Sequence, residues 1–174
     1  MKIYSILLYS CVSLTLASFF VPEFLDYGMN ILFLNGEYHL FVLQLLLYSF
    51  LHGGITHLLM NGVMLWFFGK DLERKIGSTW FLLFFVFTTI INACALLYWN
   101  PYVTTIGISF TLALLGFYTA FFYRVRDPSR KGAMILLLNT AIGFTIPQIS
   151  MVGHAVGGVC GICFFFIYLY GRKR

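Results

Sequence analysis

The chain has 174 residues, of which 60% are hydrophobic and 10% charged, with a mean hydropathy of +0.89 and a formal net charge of +5. That composition excludes an ordinary water-soluble domain. It also argues against nucleic-acid binding, because the 11 Lys and Arg residues lie in short clusters between apolar runs, a pattern of membrane orientation and not of a basic binding face.

In chain order, the apolar runs predict membrane-spanning helices over about 3–21, 54–69, 79–98, 105–123, 132–149 and 152–170. At roughly 20 residues per crossing, six helices use about 120 residues. A single membrane domain over 1–174, without a sizeable extramembrane part, is therefore expected. The class is all-α, a polytopic bundle of six transmembrane helices. Unpaired backbone groups are intolerable in lipid, and these runs are too long and too uniformly apolar for barrel strands.

The first run resembles a signal peptide, with Lys2 at its start and Leu16-Ala17-Ser18 as a poor cleavage site, and Leu8-Tyr9-Ser10-Cys11 is a weak lipobox look-alike. Removing it would leave five crossings and spoil the charge segregation. With six, the N-terminus, the second and fourth connections and the C-terminus share one side. That side holds Lys2, Lys70, Arg74, Lys75, Arg124, Arg126, Arg130, Lys131, Arg172, Lys173 and Arg174, while the opposite connections hold only Glu23, Asp26 and Glu37. The positive-inside bias places both termini in the cytoplasm.

Residues 22–53 are nearly as apolar as the spans. Their run 40–51 rises only about 18 Å if helical, too little for a 30 Å hydrocarbon core. A re-entrant or interfacial element on the outer side is expected, packed on protein or lining a watery cavity.

Cys11, Cys94, Cys160 and Cys163 all fall within spans, and Cys160-x-x-Cys163 lacks a second ligand pair, so they read as small packing residues. Intramembrane polar residues are costly and more informative. His57 and Asn61, four apart, share one face of the second span. Counting from the basic clusters at about 1.5 Å per residue, His57 lies roughly 20 Å above Lys70, Ser109 roughly 22 Å above Arg124 and His154 roughly 27 Å above Arg172. All four polar groups fall in the outer half of the bilayer. Singly, each has a plain structural reading, since a membrane Ser bonds its own helix and a His or Asn joins helices.

Two stripes of small residues favour a joint reading. Ser109, Ala113, Gly116 and Ala120 recur along the fourth span, and His154, Gly157 or Gly158, and Gly161 along the sixth. Small residues at this spacing let helices approach closely in lipid. If the stripes pack together, Ser109 and His154 meet at one end, and a hydroxyl beside an imidazole is the arrangement of an activated nucleophile. Every acidic residue lies in a connection and no HExxH motif occurs. Serine chemistry here would run on a dyad, with no metal or cofactor expected.

With these residues in view, the sequence resembles a rhomboid intramembrane serine protease. The resemblance rests on His52-x4-His57-x3-Asn61, Gly107-Ile108-Ser109 and His154-x2-Gly157-x3-Gly161, in the family's order and with its helix count. The apolar first connection resembles the family's membrane-embedded hairpin. The resemblance implies hydrolysis of peptide bonds in or beside transmembrane segments of other membrane proteins, within the lipid bilayer. By matching position, Ser109 would be the nucleophile and His154 the general base and then acid. His57, Asn61 and the Ser109 N–H would form the oxyanion hole, and His52 would support the cavity or hairpin.

Two departures stand out. The family's Gly-x-Ser-Gly is Gly107-Ile108-Ser109-Phe110 here, which puts a phenyl group where it would fill the substrate pocket or displace the oxyanion donor. A Trp-Arg pair frequent in the first connection is Leu43-Gln44. Glu73 has a family counterpart and is read as a charge partner for neighbouring basic residues. Two alternatives are a relative that binds transmembrane segments without cutting them, and an unrelated bundle in which His57 and His154 bind haem or metal. The compact build resembles bacterial members, which implies a bacterial inner membrane and a site opening to the outer side.

Overall fold

The computed structural model describes residues 1–31, 38–107, 109–125 and 150–172. The predicted span over 132–149 lies outside them, as do Ile108 and the basic residues Arg126, Arg130, Lys131, Lys173 and Arg174. The described elements run α1 (Ile3–Phe20), a 3-10 turn (Pro22–Tyr27), α2 (Tyr38–Leu47), α3 (Ile55–Met64), a π-helical stretch (Leu65–Gly69), α4 (Lys70–Ile76), α5 (Ser78–Trp99), α6 (Phe110–Arg124) and α7 (Met151–Gly171). Among the described residues the extended pairing is a single bridge between Met29 and Thr105.

Helices α1, α5 and α7 are each long and apolar enough to cross a membrane. They turn large apolar side chains outward, including Leu16 on α1, Leu82, Val86 and Ile90 on α5, and Phe166 and Ile167 on α7. Helices that satisfy their own backbones and expose apolar faces suit lipid as solvent, so the chain is an integral membrane helix bundle. The helix of the second predicted span runs on past its expected end, since α3, the π stretch and α4 continue unbroken from Ile55 to Ile76, so that Lys70, Arg74 and Lys75 of the connection are themselves helical. Gly77, with φ +85°, ends this run and starts α5. Helix α6 starts at Phe110, later than the predicted 105. Gly107 just before it holds φ +110°, a region that side-chain-bearing residues avoid and helices do not use. At ten residues α2 rises only about 15 Å, too short to cross.

Among the described helices the α6–α7 contact is the most extensive. Its basis is the small-residue stripe: a Cβ on Gly116 would run into the Gly158 carbonyl, and one on Gly161 into that of Ala113. Toward α5 the core becomes aromatic, with Phe84 stacked on Phe164 at 4.6 Å between ring centroids.

The bend between α4 and α5 is tied to the first helix. Buried Glu73 accepts the N–H groups of Ile3 at 3.0 Å and Tyr4 at 2.8 Å, and Ser78 Oγ donates to it at 2.5 Å. This corrects the expected pairing of Glu73 with neighbouring basic residues. Asp71 takes Arg74 and Lys75 instead, while Glu73 caps the unpaired N–H groups at the positive end of α1. Burial pushes the Glu73 carboxyl up, but the bonds from Ser78, Tyr4 and Ile3 and the charge of Lys2 outweigh it, leaving the group below its usual 4.5. A carboxylate lowered on folding contributes stability above its unfolded pKa, and that contribution disappears as pH falls through the folded value. Glu73→Gln is therefore expected to cost about 1.5–3 kcal/mol at neutral pH and to flatten the acid limb of stability. Thermal unfolding in detergent, from neutral pH into the carboxylate range, checks both. An unchanged acid limb would show that the cap contributes nothing.

Candidate active site

The loop ahead of Ser109 is fastened from the first connection. Gly107 N–H donates to the Tyr48 carbonyl at 2.9 Å, Met29 and Thr105 exchange backbone bonds at 2.8 and 3.1 Å, and Ile31 N–H donates to the Pro101 carbonyl at 2.9 Å. Side chains extend this lacing. Gln44 Nε2 donates to Asn30 Oδ1 at 3.0 Å, and Asn30 Nδ2 to Thr104 Oγ1 at 3.1 Å. Thus Gln44, 1% exposed, serves as a neutral tether in the Leu43-Gln44 pair.

Ser109 stands at the start of α6 with its side chain buried. Helix α7 closes on it so tightly that a Cβ on Gly153 would lie 3.0 Å from Ser109 Oγ, and one on Gly157 2.5 Å from the Ser109 carbonyl oxygen. The next residue after Gly153 is His154. Ser109, His154, His57 and Gly107 line one cleft together with Thr105, Ile106 and Ser150. Its volume is about 10 Å³, room for roughly one water molecule. Among the described residues no hydrogen bond joins Ser109 to His154, and His154 Nδ1 is buried without a partner.

The remaining predicted residues are placed as follows. His57 packs over Gly107, where a Cβ would lie 2.6 Å from the ring. His52 is buried edge-on to His57 at 5.0 Å, with its Nδ1 3.0 Å from the Phe50 carbonyl and 3.3 Å from Thr15 Oγ1 of α1. Asn61 turns inward: its Nδ2 donates to the His57 carbonyl at 3.0 Å and its Oδ1 accepts from Thr111 Oγ1 at 2.6 Å. Phe110 directs its ring into the core, 5.4, 4.9 and 5.3 Å from Phe81, Phe84 and Phe85, and does not line the cleft. Gly161 lies further along α7, against Ala113. Among the described residues no three His, Cys, Asp or Glu side chains converge as a metal site.

One site residue escaped the sequence reading. Asn92 of α5 donates from Nδ2 to Ser109 Oγ. Its Oδ1 and the hydroxyl of Thr88, four residues earlier, are buried without partners. The available signal was an amide in the middle of a 22-residue apolar helix, where a polar group needs a reason to be present. Because Ser109 Oγ accepts this bond, its own O–H is left to be donated elsewhere.

The sequence pattern of the family described as Rhomboid domain matches residues 40–171. The chain is 32% identical over 116 residues to Rhomboid protease GluP of Bacillus subtilis (strain 168), an alignment covering 64% of this chain and 23% of that protein. It therefore spans about a quarter of that relative's length. It is also 24% identical over 155 residues to Putative rhomboid protease YdcA of the same organism, covering 84% of this chain and 75% of that protein. A helical membrane bundle, a cleft that gathers Ser109, His154 and His57, and a family match over most of its length agree: the chain belongs to the rhomboid family.

Proposed function

We propose that the protein is an intramembrane serine endopeptidase that cuts peptide bonds in or beside transmembrane segments of other membrane proteins. The observation that carries this reading is the convergence of Ser109, His154 and His57 on one cleft, with Ser109 buried against α7. Ser109 Oγ attacks the scissile carbonyl carbon, and His154 takes its proton and later returns it to the leaving amine. Serine–histidine hydrogen bonds often tighten only when substrate arrives. The developing oxyanion falls to His57 and the Ser109 N–H, at the positive end of α6. Asn61 joins them by giving up its bond to the His57 carbonyl, and otherwise holds His57 in place. A cleft with room for one water admits an extended peptide only after opening, which the first connection controls through its lacing to the loop. In this reading the chain crosses a bacterial inner membrane six times, and the clustering of its basic residues supports cytoplasmic termini and a cleft toward the outer side.

The test is incubation of the purified protein in detergent with a single-span model substrate, with the products located by mass spectrometry. Cleavage in or next to the span is expected. Intact substrate beside a folded, substrate-binding protein would replace the protease by a binder of transmembrane segments. Asn92 is a positioning residue in this scheme: losing its bond to Ser109 Oγ is expected to lower kcat about 3- to 10-fold, the worth of one neutral hydrogen bond. KM should stay unchanged in Asn92→Ala, because the amide does not touch substrate. An altered KM with normal kcat would place Asn92 in substrate binding instead.

A further inference from the structure

At the basic end of the bundle, α4, α6 and α7 line a second, larger cavity that is open on one side. It measures about 320 Å³, within the usual size range of ligand sites. Its walls include Leu72, Phe117, Phe121 and Phe165, and its rim carries Lys75 and Arg172. The glycine contacts that hold α6 against α7 reach Gly161 on one helix and Phe117 on the other. Beyond them both helices continue with aromatic residues that line this space.

The chemistry of its lining is divided. The walls are apolar, while both exposed rim residues are cationic. Asp71 is the carboxylate nearby, already bonded by Arg74, Lys75 and the Tyr118 hydroxyl. Lys75 is thus paired within α4, while Arg172 has no carboxylate partner among the described residues. Arg172 makes one long contact, 3.5 Å to Tyr168 Oη, so most of its guanidinium donors remain for an incoming group. Basic pockets between transmembrane helices at the headgroup level hold anionic lipids in this way.

We propose that this cavity binds an anionic phospholipid of the leaflet at the basic end of the bundle, with an acyl chain between α6 and α7 and the phosphate between Lys75 and Arg172. The site lies apart from the Ser109 cleft and shares no lining residue with it. Its existence does not depend on proteolysis.

The test uses the whole chain, stripped of lipid in a neutral detergent and titrated with phosphatidylglycerol or phosphatidylcholine while bound lipid is read by native mass spectrometry. Preferential retention of phosphatidylglycerol is expected, with about 30-fold weaker binding in the Lys75→Gln/Arg172→Gln variant, the combined effect of two membrane-surface cations. Arg124→Gln, which removes a cation not lining the cavity, should bind as the parent does. Leu169 of α7 also lines the cavity, and Leu169→Trp, which tests the apolar half without touching charge, should also weaken retention. Equal retention of the two lipids, binding indifferent to the double substitution, or inorganic phosphate displacing the lipid at matching concentration would each overturn the proposal. Thermal unfolding of every variant separates lost binding from lost fold.

Discussion

Ser109→Ala and His154→Ala are each expected to lower cleavage of a transmembrane substrate by about 10³-fold or more, with the folded state retained. Removing the hydroxyl removes the atom that bonds to the carbonyl, and removing the imidazole leaves a weakly acidic alcohol with no acceptor for its proton. The two losses should not add, because nucleophile and base act as one unit, and the double variant should fall to nearly the same residual rate as either single one. His57→Ala should cost less, on the order of 10²-fold, as the loss of one oxyanion donor. Retained folding is expected because Ser109→Ala keeps the Cβ that packs against Gly157 and deletes only the acceptor of the Asn92 bond. His154 is only partly buried, with one ring nitrogen unpartnered. Initial rates on a fluorogenic single-span substrate, beside unfolding midpoints, decide this. Turnover surviving in either variant would remove the dyad from the mechanism.

How much of this arrangement was legible in the sequence depends on what encodes each part. Spans α1, α5 and α7 were readable to within a residue or two, because lipid imposes length and apolarity on a crossing helix. The α6–α7 contact was readable because Gly116, Gly157 and Gly161 are small for a reason that leaves a period in the sequence. Ser109 and His154 inherited their proximity from that contact. Features that depend on where a side chain turns were not readable. Asn61 shares a helix face with His57, yet its amide is spent on the His57 carbonyl and Thr111. Glu73 sits among Arg74 and Lys75 in the chain, yet its partners are the N–H groups of α1 some 70 residues away. Apolarity alone starts α6 too early because a single left-handed glycine, Gly107, ends the preceding loop without changing local apolarity. Asn92 belongs to no motif, and its presence in an apolar helix is the one sign it leaves in the sequence.

Phe110 tests most sharply the difference between reading a motif and reading a structure. Beside the nucleophile, where the family carries glycine, a phenyl ring suggests an obstructed pocket, and Phe110→Gly would then raise the rate or admit larger substrate residues. The ring's location leads to the opposite result. Phe110 is 1% exposed and sits edge-on to Phe81, Phe84 and Phe85 of α5, the first two of which are themselves fully buried. Emptying such a site in a packed core costs on the order of 3 kcal/mol. In lipid the packing part of that cost remains, since loss of close contact is what separates membrane helices. Phe84 also stacks on Phe164 of α7, so the gap left by Phe110 loosens the layer that presses α7 against Ser109. Phe110→Gly is therefore expected to lower the unfolding midpoint markedly, to leave substrate selectivity unchanged, and to reduce cleavage per folded molecule as the spacing of Ser109 and His154 relaxes. Phe110→Leu, which refills most of the volume, should recover much of the stability. A Phe110→Gly protein with an unshifted midpoint and faster cleavage would place the ring in the substrate pocket and overturn this assignment.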